Sequence, residues 1–383
     1  MMLRFCHRAI VDVNGHDRMI FRSRKRQETT TAVRDHGGVH SPDAEADSSL
    51  DSVEELTVEE LLERIDALSR ENRAARDPQI ERRLVGLRHR AGLQLTDRPA
   101  ADLDYPAPDF DRLSNSSGVP EVPPDELTPG LLRAAILRSG CLLVRGLVDA
   151  GQATRLVEGI DRAFEARDER KSGRSADPAY YEVFEPVPKF DLGAERWWLN
   201  NDAGGGVWSA DSPRVMFDMF DTFERSGLQQ LATEYLGERP AIGVNKSTLR
   251  RVTPDVGEGF SLWHQDGAFL GDVRALNVWL SLSRCGDVAP GLDIVARRLD
   301  HVLPTGTEGA VFDWSVSQTL AEEAAGDVGI ARPIFEPGDV LLFDELCLHS
   351  TAAEPEMPNA RYAIENWFFG PSGFPGNYAP MAV

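Results

Sequence analysis

The stretch Ser261-Leu-Trp-His-Gln-Asp-Gly267 places an imidazole and a carboxylate two residues apart. If the stretch is extended, alternate side chains share a face, so we expect His264 and Asp266 to point to the same side. An imidazole beside a carboxylate is typical of a metal site. The pattern His-x-Asp also occurs by chance, and on its own it is better explained by a polar pair within a sheet.

Two other residues, His349 and Arg361, lie further along the chain and make a metal site the better explanation. His349 follows the run Gly338-Asp-Val-Leu-Leu-Phe343, whose pattern predicts a turn and then a buried strand that ends at the histidine. Arg361 then opens another strand-like run. Of the eight histidines in the chain, the only other one after the N-terminal region is His301, which we predict to lie in a loop outside the site.

These residue types suit iron(II) and an oxo acid. Iron(II) accepts two neutral imidazoles and one carboxylate on one face, which leaves adjacent positions for a chelating cosubstrate and oxygen. We therefore predict that His264, Asp266 and His349 hold the metal and carry catalysis. The distal carboxylate of a 2-oxoglutarate cosubstrate needs a fixed, permanently charged fork. Arg361 can provide that bidentate contact, for which lysine is a poorer match.

The order of these residues resembles the phytanoyl-CoA dioxygenase family of Fe(II)/2-oxoglutarate-dependent oxygenases. Besides the His-Gln-Asp motif, three runs over roughly residues 127–370 look like the family's strands in the same order: Leu276-Asn-Val-Trp-Leu280, Gly338-Asp-Val-Leu-Leu-Phe343 and Leu348-His-Ser-Thr351. The resemblance implies a double-stranded β-helix, which is a jelly-roll, cupin-like core. It also implies hydroxylation or related oxidation of a small organic substrate, with decarboxylation of 2-oxoglutarate to succinate and CO2.

The family also suggests which residues line the cosubstrate pocket. In the family, the tryptophan-bearing strand after the His-x-Asp motif lines the cosubstrate pocket, so the resemblance implies that Trp279 lines this pocket. Asn277 and Thr248 are weaker candidates for the same role. One departure concerns residues 295–301, where Val-Ala-Arg-Arg-Leu-Asp-His stands in place of the Pro-Gly-Ser-His segment of many members. The substrate contacts of that loop therefore stay open.

Composition narrows the class of protein. Lys and Arg number 41 against 62 Asp and Glu, and the net charge of −21 disfavours nucleic acid and anionic membranes as partners. The four cysteines lack paired spacing, so neither a zinc knot nor a disulfide scaffold is expected. No apolar run approaches the roughly 20 residues of a membrane span, and no signal peptide is evident. We expect a cytoplasmic protein whose partners are 2-oxoglutarate, O2 and a small-molecule substrate, in an oligomeric state that the sequence leaves open.

The composition and the apolar pattern along the chain predict four parts. Residues 1–50 are a flexible tail, residues 51–105 a helical extension, residues 106–126 a connector, and residues 127–383 the dioxygenase domain, mainly β with flanking helices. Residues 171–206 are expected to form an aromatic-rich loop. The predicted strands are Cys141–Val144, Ile242–Leu249, Ala275–Leu282, Leu292–Ala296, Val340–Phe343 and Tyr362–Phe369.

Two other classes of protein remain open. The chain could be a non-catalytic binding protein on the same fold, or a non-iron cupin-like metal protein, since two imidazoles and a carboxylate do not select iron by affinity alone. Asp266 argues against a halogenase, in which a small residue usually replaces the carboxylate.

Some candidate residues also have ordinary structural alternatives. Arg361 could be a buried ion-pair partner, and Trp279 could be a core residue. Arg250-Arg251 and Arg297-Arg298 could attract an anionic substrate, although salt bridges are the usual role of such pairs in an acidic chain.

Overall fold

Antiparallel strands dominate the second half of the chain. The structure is a computed structural model that describes residues 56–99, 103–114, 118–201, 205–254, 262–307 and 309–383, so the tail predicted for residues 1–50 lies outside the described residues. The strands are β1 (Glu121–Val122), β2 (Cys141–Val144), β3 (Gly206–Trp208), β4 (Ala241–Val252), β5 (Ala275–Ser281), β6 (Gly291–Val295), β7 (Ile330–Ala331), β8 (Val340–Phe343), β9 (His349–Ala352), β10 (Arg361–Phe369) and β11 (Pro380–Ala382).

Helices precede the sheets in sequence and also interrupt them. They are α1 (Val58–Ala74), α2 (Pro78–Thr96), α3 (Pro129–Ser139), α4 (Ala150–Lys171), α5 (Gly193–Asn201), α6 (Pro213–Arg225), α7 (Leu228–Leu236), α8 (Gly267–Leu270) and α9 (Gln318–Ala325). Within the described ranges, none of these helices combines the length and the apolar content that crossing a bilayer would require.

Two sheets form the core. The larger sheet has the order β1-β2-β8-β5-β10-β4-β11, with β3 also paired to β4, and the smaller sheet has the order β7-β6-β9. All ladders are antiparallel except the short β1–β2 pair. Strands far apart in sequence are neighbours in both sheets, as a jelly roll requires. The predicted fold class, mainly β with flanking helices around a double-stranded β-helix, is confirmed.

The two faces of the larger sheet have different surroundings. On β5, Leu276, Val278 and Leu280 belong to the core shared with α3, α4, α6 and α7. Ala275 and Trp279 point the other way and pack with residues of the smaller sheet. This alternation follows from strand geometry. The interior between the two sheets is therefore lined by every second residue of each strand.

Local sequence signals set the ends of two helices. The Thr128 side chain accepts a hydrogen bond from Leu131 N at the start of α3, and Gly140 ends that helix with a φ of 77°. At the start of α1, Thr57 and Glu60 form a capping box. The loop predicted for residues 171–206 is wrong at two places, because α4 continues to Lys171 and residues 193–201 form α5.

The helix α2 lies directly against the edge strand β11. A Cβ at Gly92 would lie 2.8 Å from the backbone nitrogen of Met381 and from the carbonyl oxygen of Pro380. The same carbonyl oxygen accepts a hydrogen bond from His89 Nδ1 at 2.8 Å. Gly92 therefore permits a backbone approach that any larger residue would obstruct.

Two glycine substitutions in α2 test this packing. Gly92→Ala is expected to lower the free energy of unfolding by about 1–3 kcal/mol, because the added methyl group overpacks the contact. Gly86→Ala is the matched control, since a Cβ there meets nothing within 4 Å. It should raise the free energy of unfolding by about 0.5–1 kcal/mol through helix propensity. Urea unfolding of both variants measures the effects, and equal changes would contradict the close packing of α2 on β11.

Candidate metal centre

His264, Asp266 and His349 converge in the interior between the two sheets. One potential ligand atom from each residue lies within 4.8 Å of the others. The Nε2 atom of His264 is 3.6 Å from Asp266 Oδ1, and the two imidazole centroids are 4.3 Å apart. Among the described residues, no other group of three His, Cys, Asp or Glu side chains is arranged to hold a metal ion. The predicted trio is thus brought together.

Backbone pairing sets the two imidazoles side by side. His264 and His349 form an antiparallel bridge, with N-to-O distances of 2.9 and 3.1 Å. The expected position of His349 was wrong in detail. The strand β8 ends at Phe343, and His349 opens the next strand, β9. The histidine therefore comes from the smaller sheet, and the bridge to His264 fixes its place.

Asp266 reaches the site by a turn. We expected an extended backbone through residues 264–266, but Asp266 has φ −62° and ψ −22° and precedes the short helix α8. A hydrogen bond of 2.8 Å from Gly267 N to Glu345 O fastens this turn to the loop before β9. The helical turn, rather than the two-residue alternation of a strand, brings the carboxylate toward His264.

Gln265 holds the motif in place from the opposite side. Its Nε2 donates to the carbonyl oxygens of His301 and Leu346, at 3.1 and 2.8 Å, and its Oε1 accepts from Leu303 N at 2.7 Å. All the hydrogen-bonding capacity of this buried amide except one lone pair is used in these contacts. His301 itself is exposed and reaches the motif only through its backbone.

Hydrogen bonds also set the tautomer of both histidines. The Nδ1 atom of His264 is 2.8 Å from Leu262 O, and that of His349 is 3.0 Å from Cys347 O. Because a carbonyl oxygen can only accept, each Nδ1 carries a hydrogen and each Nε2 presents a lone pair. Metal-binding histidines are usually oriented in this way. Burial, followed by the neighbouring His349, lowers the pKa of His264 to about 4, so its imidazole is neutral at neutral pH.

The lowered pKa of His264 makes the stability of the metal-free protein depend on pH. Between about pH 4 and about pH 6.5 the unfolded chain binds a proton that the folded chain does not, so the free energy of unfolding falls as pH falls through this window. His264→Gln removes this contribution. Urea unfolding near pH 7 and near pH 5 should show a larger loss of stability in the wild type than in the variant. An equal loss in both would contradict the lowered pKa.

Arg361 is a buried guanidinium without a carboxylate partner. It is the first residue of β10 and is 4% exposed. Its Nη1 donates to Gly291 O at 3.0 Å, and its Nε has no hydrogen-bond partner. Within the described ranges it forms no ion pair with Asp or Glu, which removes the alternative of an ordinary buried salt bridge there. Burial lowers the pKa of Arg361 to about 10.

Trp279 lies beside this guanidinium. The Cζ atom of Arg361 is 5.5 Å from the centroid of the indole ring, and the ring packs against Phe335 with centroids 4.7 Å apart. Trp279 is therefore part of the core and also limits the movement of Arg361. Asn277 shares this face of β5, and its buried Oδ1 has no hydrogen-bond partner. A role for either residue in binding a cosubstrate remains a prediction.

Three charged residues of the same interior were not assigned to the site from the sequence. Glu365 lies four residues after Arg361 on β10, opposite Trp279 on one side and Thr248 on the other. Its Oε2 is 3.1 Å from Arg250 Nη2. Lys246 lies on β4 where the β4–β10 register shifts. Two-residue alternation from Arg361 would have placed Glu365 on the interior face, whereas no local signal marks the register shift.

Both paired-arginine motifs form ion pairs, as is usual in an acidic chain. The pairs are Arg250 with Glu365, Arg251 with Asp161, Arg297 with Asp327, and Arg298 with Asp344. Only the Arg250–Glu365 pair faces the interior that holds His264, Asp266 and His349, which we call the metal group. The other three do not support the idea of an anion-binding surface.

Comparison with known proteins gives remote structural likenesses. No protein-family model matches the sequence, and no curated protein matches it significantly. EctD from S. alaskensis, solved with 2-oxoglutarate and 5-hydroxyectoine, is 19% identical with a TM-score of 0.42, over 72% of this chain and 90% of that one.

Two further solved structures show similar values. SnoK, a non-haem alpha ketoglutarate dependent carbocyclase from nogalamycin biosynthesis, is 14% identical with a TM-score of 0.41, over 65% of this chain and 86% of its own. EvdO2 from Micromonospora carbonacea var. aurantiaca is 14% identical with a TM-score of 0.41, over 66% of this chain and 91% of its own. Likeness at this level transfers no activity to the present chain, since one fold serves many functions.

Proposed function

We propose that the chain is a non-haem Fe(II)/2-oxoglutarate-dependent dioxygenase of the phytanoyl-CoA dioxygenase type. It would hydroxylate or otherwise oxidise a small organic substrate while 2-oxoglutarate is decarboxylated to succinate and CO2. The observation that carries the proposal is that a single interior holds both a His-Asp-His group and a buried arginine that forms no ion pair with any described residue. All of these groups belong to residues 127–383, to which we assign the reaction.

The donor set of the proposed metal centre fits iron(II). Nε2 of His264, Nε2 of His349 and the carboxylate of Asp266 would hold the ion, and two imidazoles with one carboxylate are a donor set that iron(II) accepts. Bound iron would supply the redox chemistry that O2 activation requires. The carbonyl oxygens of Leu262 and Cys347 orient the two imidazoles so that each Nε2 is free to bind a metal.

Arg361 suits the distal carboxylate of 2-oxoglutarate. The β6–β9 register sets Ile294 opposite His349 and Gly291 opposite Ala352. The carbonyl to which Arg361 donates thus lies three residues along the ladder from the metal group, about 10 Å away. That separation suits a short diacid whose other end reaches the metal. Burial strengthens the interaction of the guanidinium with an anion, because water is excluded.

Turnover without an added substrate tests the proposal. Aerobic incubation of the purified protein with Fe(II) and 2-oxoglutarate for several hours should consume O2 and form succinate, through slow uncoupled reaction. Zn(II) in place of Fe(II) should give none, because zinc has no redox chemistry. Metal binding with no affinity for 2-oxoglutarate would instead favour a non-iron cupin-like protein. Binding of both without any loss of the oxo acid would favour a non-catalytic binding protein.

A further inference from the structure

An aromatic wall, formed by Phe269, Phe312 and Trp314, leads from the metal group to the solvent. The ring centroids of Phe269 and Trp314 lie 6.5 and 5.7 Å from that of His264. Phe312 stacks on Trp314 at 5.4 Å with an interplanar angle of 6°. Phe269 is 38% exposed and Phe312 46% exposed. Contiguous exposed aromatic surface beside a reactive centre is typical of a ligand-binding surface.

The ammonium group of Lys246 lies at the inner end of this wall. Its Nζ is 4.0 Å from the ring centroid of Phe269 and 5.3 Å from that of Tyr378. These distances fit cation–π contacts. In the part of the chain that the structure describes, the ammonium group of Lys246 forms no ion pair and no hydrogen bond. Two aromatic rings hold the ammonium in position without neutralising it.

The carboxylates around Lys246 are engaged elsewhere. Glu365 is paired with Arg250 at 3.1 Å. Glu195 accepts a hydrogen bond of 2.7 Å from Asn245 Nδ2. Asp266 faces His264 and is assigned to the metal. Burial lowers the pKa of Lys246, which reflects the cost of keeping an ammonium group away from water. An anion from outside the chain would offset that cost.

We propose that Lys246 and the aromatic wall select the substrate, which is an organic acid with an apolar or aromatic body. Its carboxylate, or another singly charged anionic group, binds Lys246, and its body lies on Phe269, Phe312 and Trp314. The reaction assigned to this substrate rests on the proposed function, whereas the binding geometry does not. Arg361 thereby binds the cosubstrate, whereas Lys246 binds the anionic group of the substrate at the inner end of the aromatic wall.

Two dyes that differ in one charged group test the inference. 1-Anilinonaphthalene-8-sulfonate is an aromatic anion, and N-phenyl-1-naphthylamine is the same aromatic body without the sulfonate. Both can be titrated into the metal-free protein by fluorescence. We expect saturable binding of the anionic dye at one site. Lys246→Met should weaken the anionic dye by roughly 10- to 100-fold, the value of a charge-assisted contact, and leave the neutral dye within about twofold.

Matched variants separate charge from packing. Trp314→Ala should weaken both dyes, because both lie on the wall. Lys246→Arg should keep the preference for the anion, which also covers the case in which the methionine variant fails to fold. Lys189→Met is the control, since the Lys189 ammonium also lies over a ring, 5.2 Å from the centroid of Phe190, but on the exposed surface. Unchanged affinity for the anionic dye in Lys246→Met, or equal weakening of both dyes, would overturn the inference.

The affinity for 2-oxoglutarate distinguishes this inference from the proposed function. Anaerobic titration of Fe(II)-loaded Lys246→Met should give the wild-type affinity for 2-oxoglutarate. A weaker affinity would assign Lys246 to the cosubstrate and overturn the inference. If the wild type binds no 2-oxoglutarate but the dye results hold, the proposed function fails while the anion-binding role of Lys246 stands.

Discussion

Asp266→Ala is expected to abolish Fe(II)- and 2-oxoglutarate-dependent succinate formation while leaving the fold intact. Asp266 is the one carboxylate of the candidate metal group formed by His264, Asp266 and His349. Within the described part of the chain, its side chain caps no helix, and its only ion pair is the 3.6 Å contact with His264. Asp266 is 3% exposed, and burying its polar side chain costs free energy that a bound metal would offset. The metal-free variant should therefore be at least as stable as the metal-free wild type.

Thermal unfolding separates the loss of metal from a loss of fold. Metal at about 100 times its dissociation constant should stabilise the wild type by about 2.7 kcal/mol, and the variant should lack this gain. Asp300→Ala is the control, because the Asp300 side chain is 92% exposed in the loop that Gln265 anchors. It should keep both turnover and metal stabilisation. Wild-type turnover in Asp266→Ala would remove this residue from the metal centre.

Arg361→Gln is expected to produce the second largest effect, on 2-oxoglutarate alone. Removing one partner of a buried charge pair costs about 2–5 kcal/mol, which weakens cosubstrate binding by roughly 30-fold to several thousandfold. The affinity for Fe(II) should not change, since Arg361 is not a ligand. Arg361→Lys should be intermediate, because an ammonium group cannot make the bidentate contact of a guanidinium. Succinate formation measured against 2-oxoglutarate concentration, with direct binding titration, checks both variants.

Arg332→Gln is the matched control for Arg361. Arg332 pairs with Asp293 at 2.7 Å and with Glu354, and all of these side chains are partly exposed on the smaller sheet. The variant removes the same charge without removing a buried guanidinium, so its affinity for 2-oxoglutarate should equal that of the wild type. An unchanged affinity in Arg361→Gln would make Arg361 an ordinary buried cation and would contradict its proposed role.

The parts of the fold that local sequence determines were predicted well. The caps of α3, which are a Thr N-cap with Pro at the first position and a Gly at the end, each depend on about one turn of neighbouring chain. The strand β8 is a short apolar run bounded by turn residues, and its predicted bounds, Val340–Phe343, match the structure. Such signals need no knowledge of which strands become neighbours.

The geometry of the candidate site depended on contacts between distant segments. The bridge between His264 and His349 joins residues from two parts of the chain. It depends on where β9 begins and on the pairing of β9 with β6, and the apolar pattern reveals neither. The turn at Asp266 is held by Gln265 and by the loop before β9. Lys246 faces the interior beside a register shift, and β-strand alternation cannot be followed through such a shift.

Anaerobic titration of the Fe(II)-loaded protein with 2-oxoglutarate tests the central claim most directly. Chelation of ferrous iron by an oxo acid gives a weak visible charge-transfer band, and no substrate is needed to observe it. We predict a saturable band in the wild type, no band in His349→Ala, and a band that needs much more 2-oxoglutarate in Arg361→Gln. Absence of the band in wild-type protein that demonstrably holds the metal would contradict the assignment of this chain as an iron- and 2-oxoglutarate-dependent oxygenase.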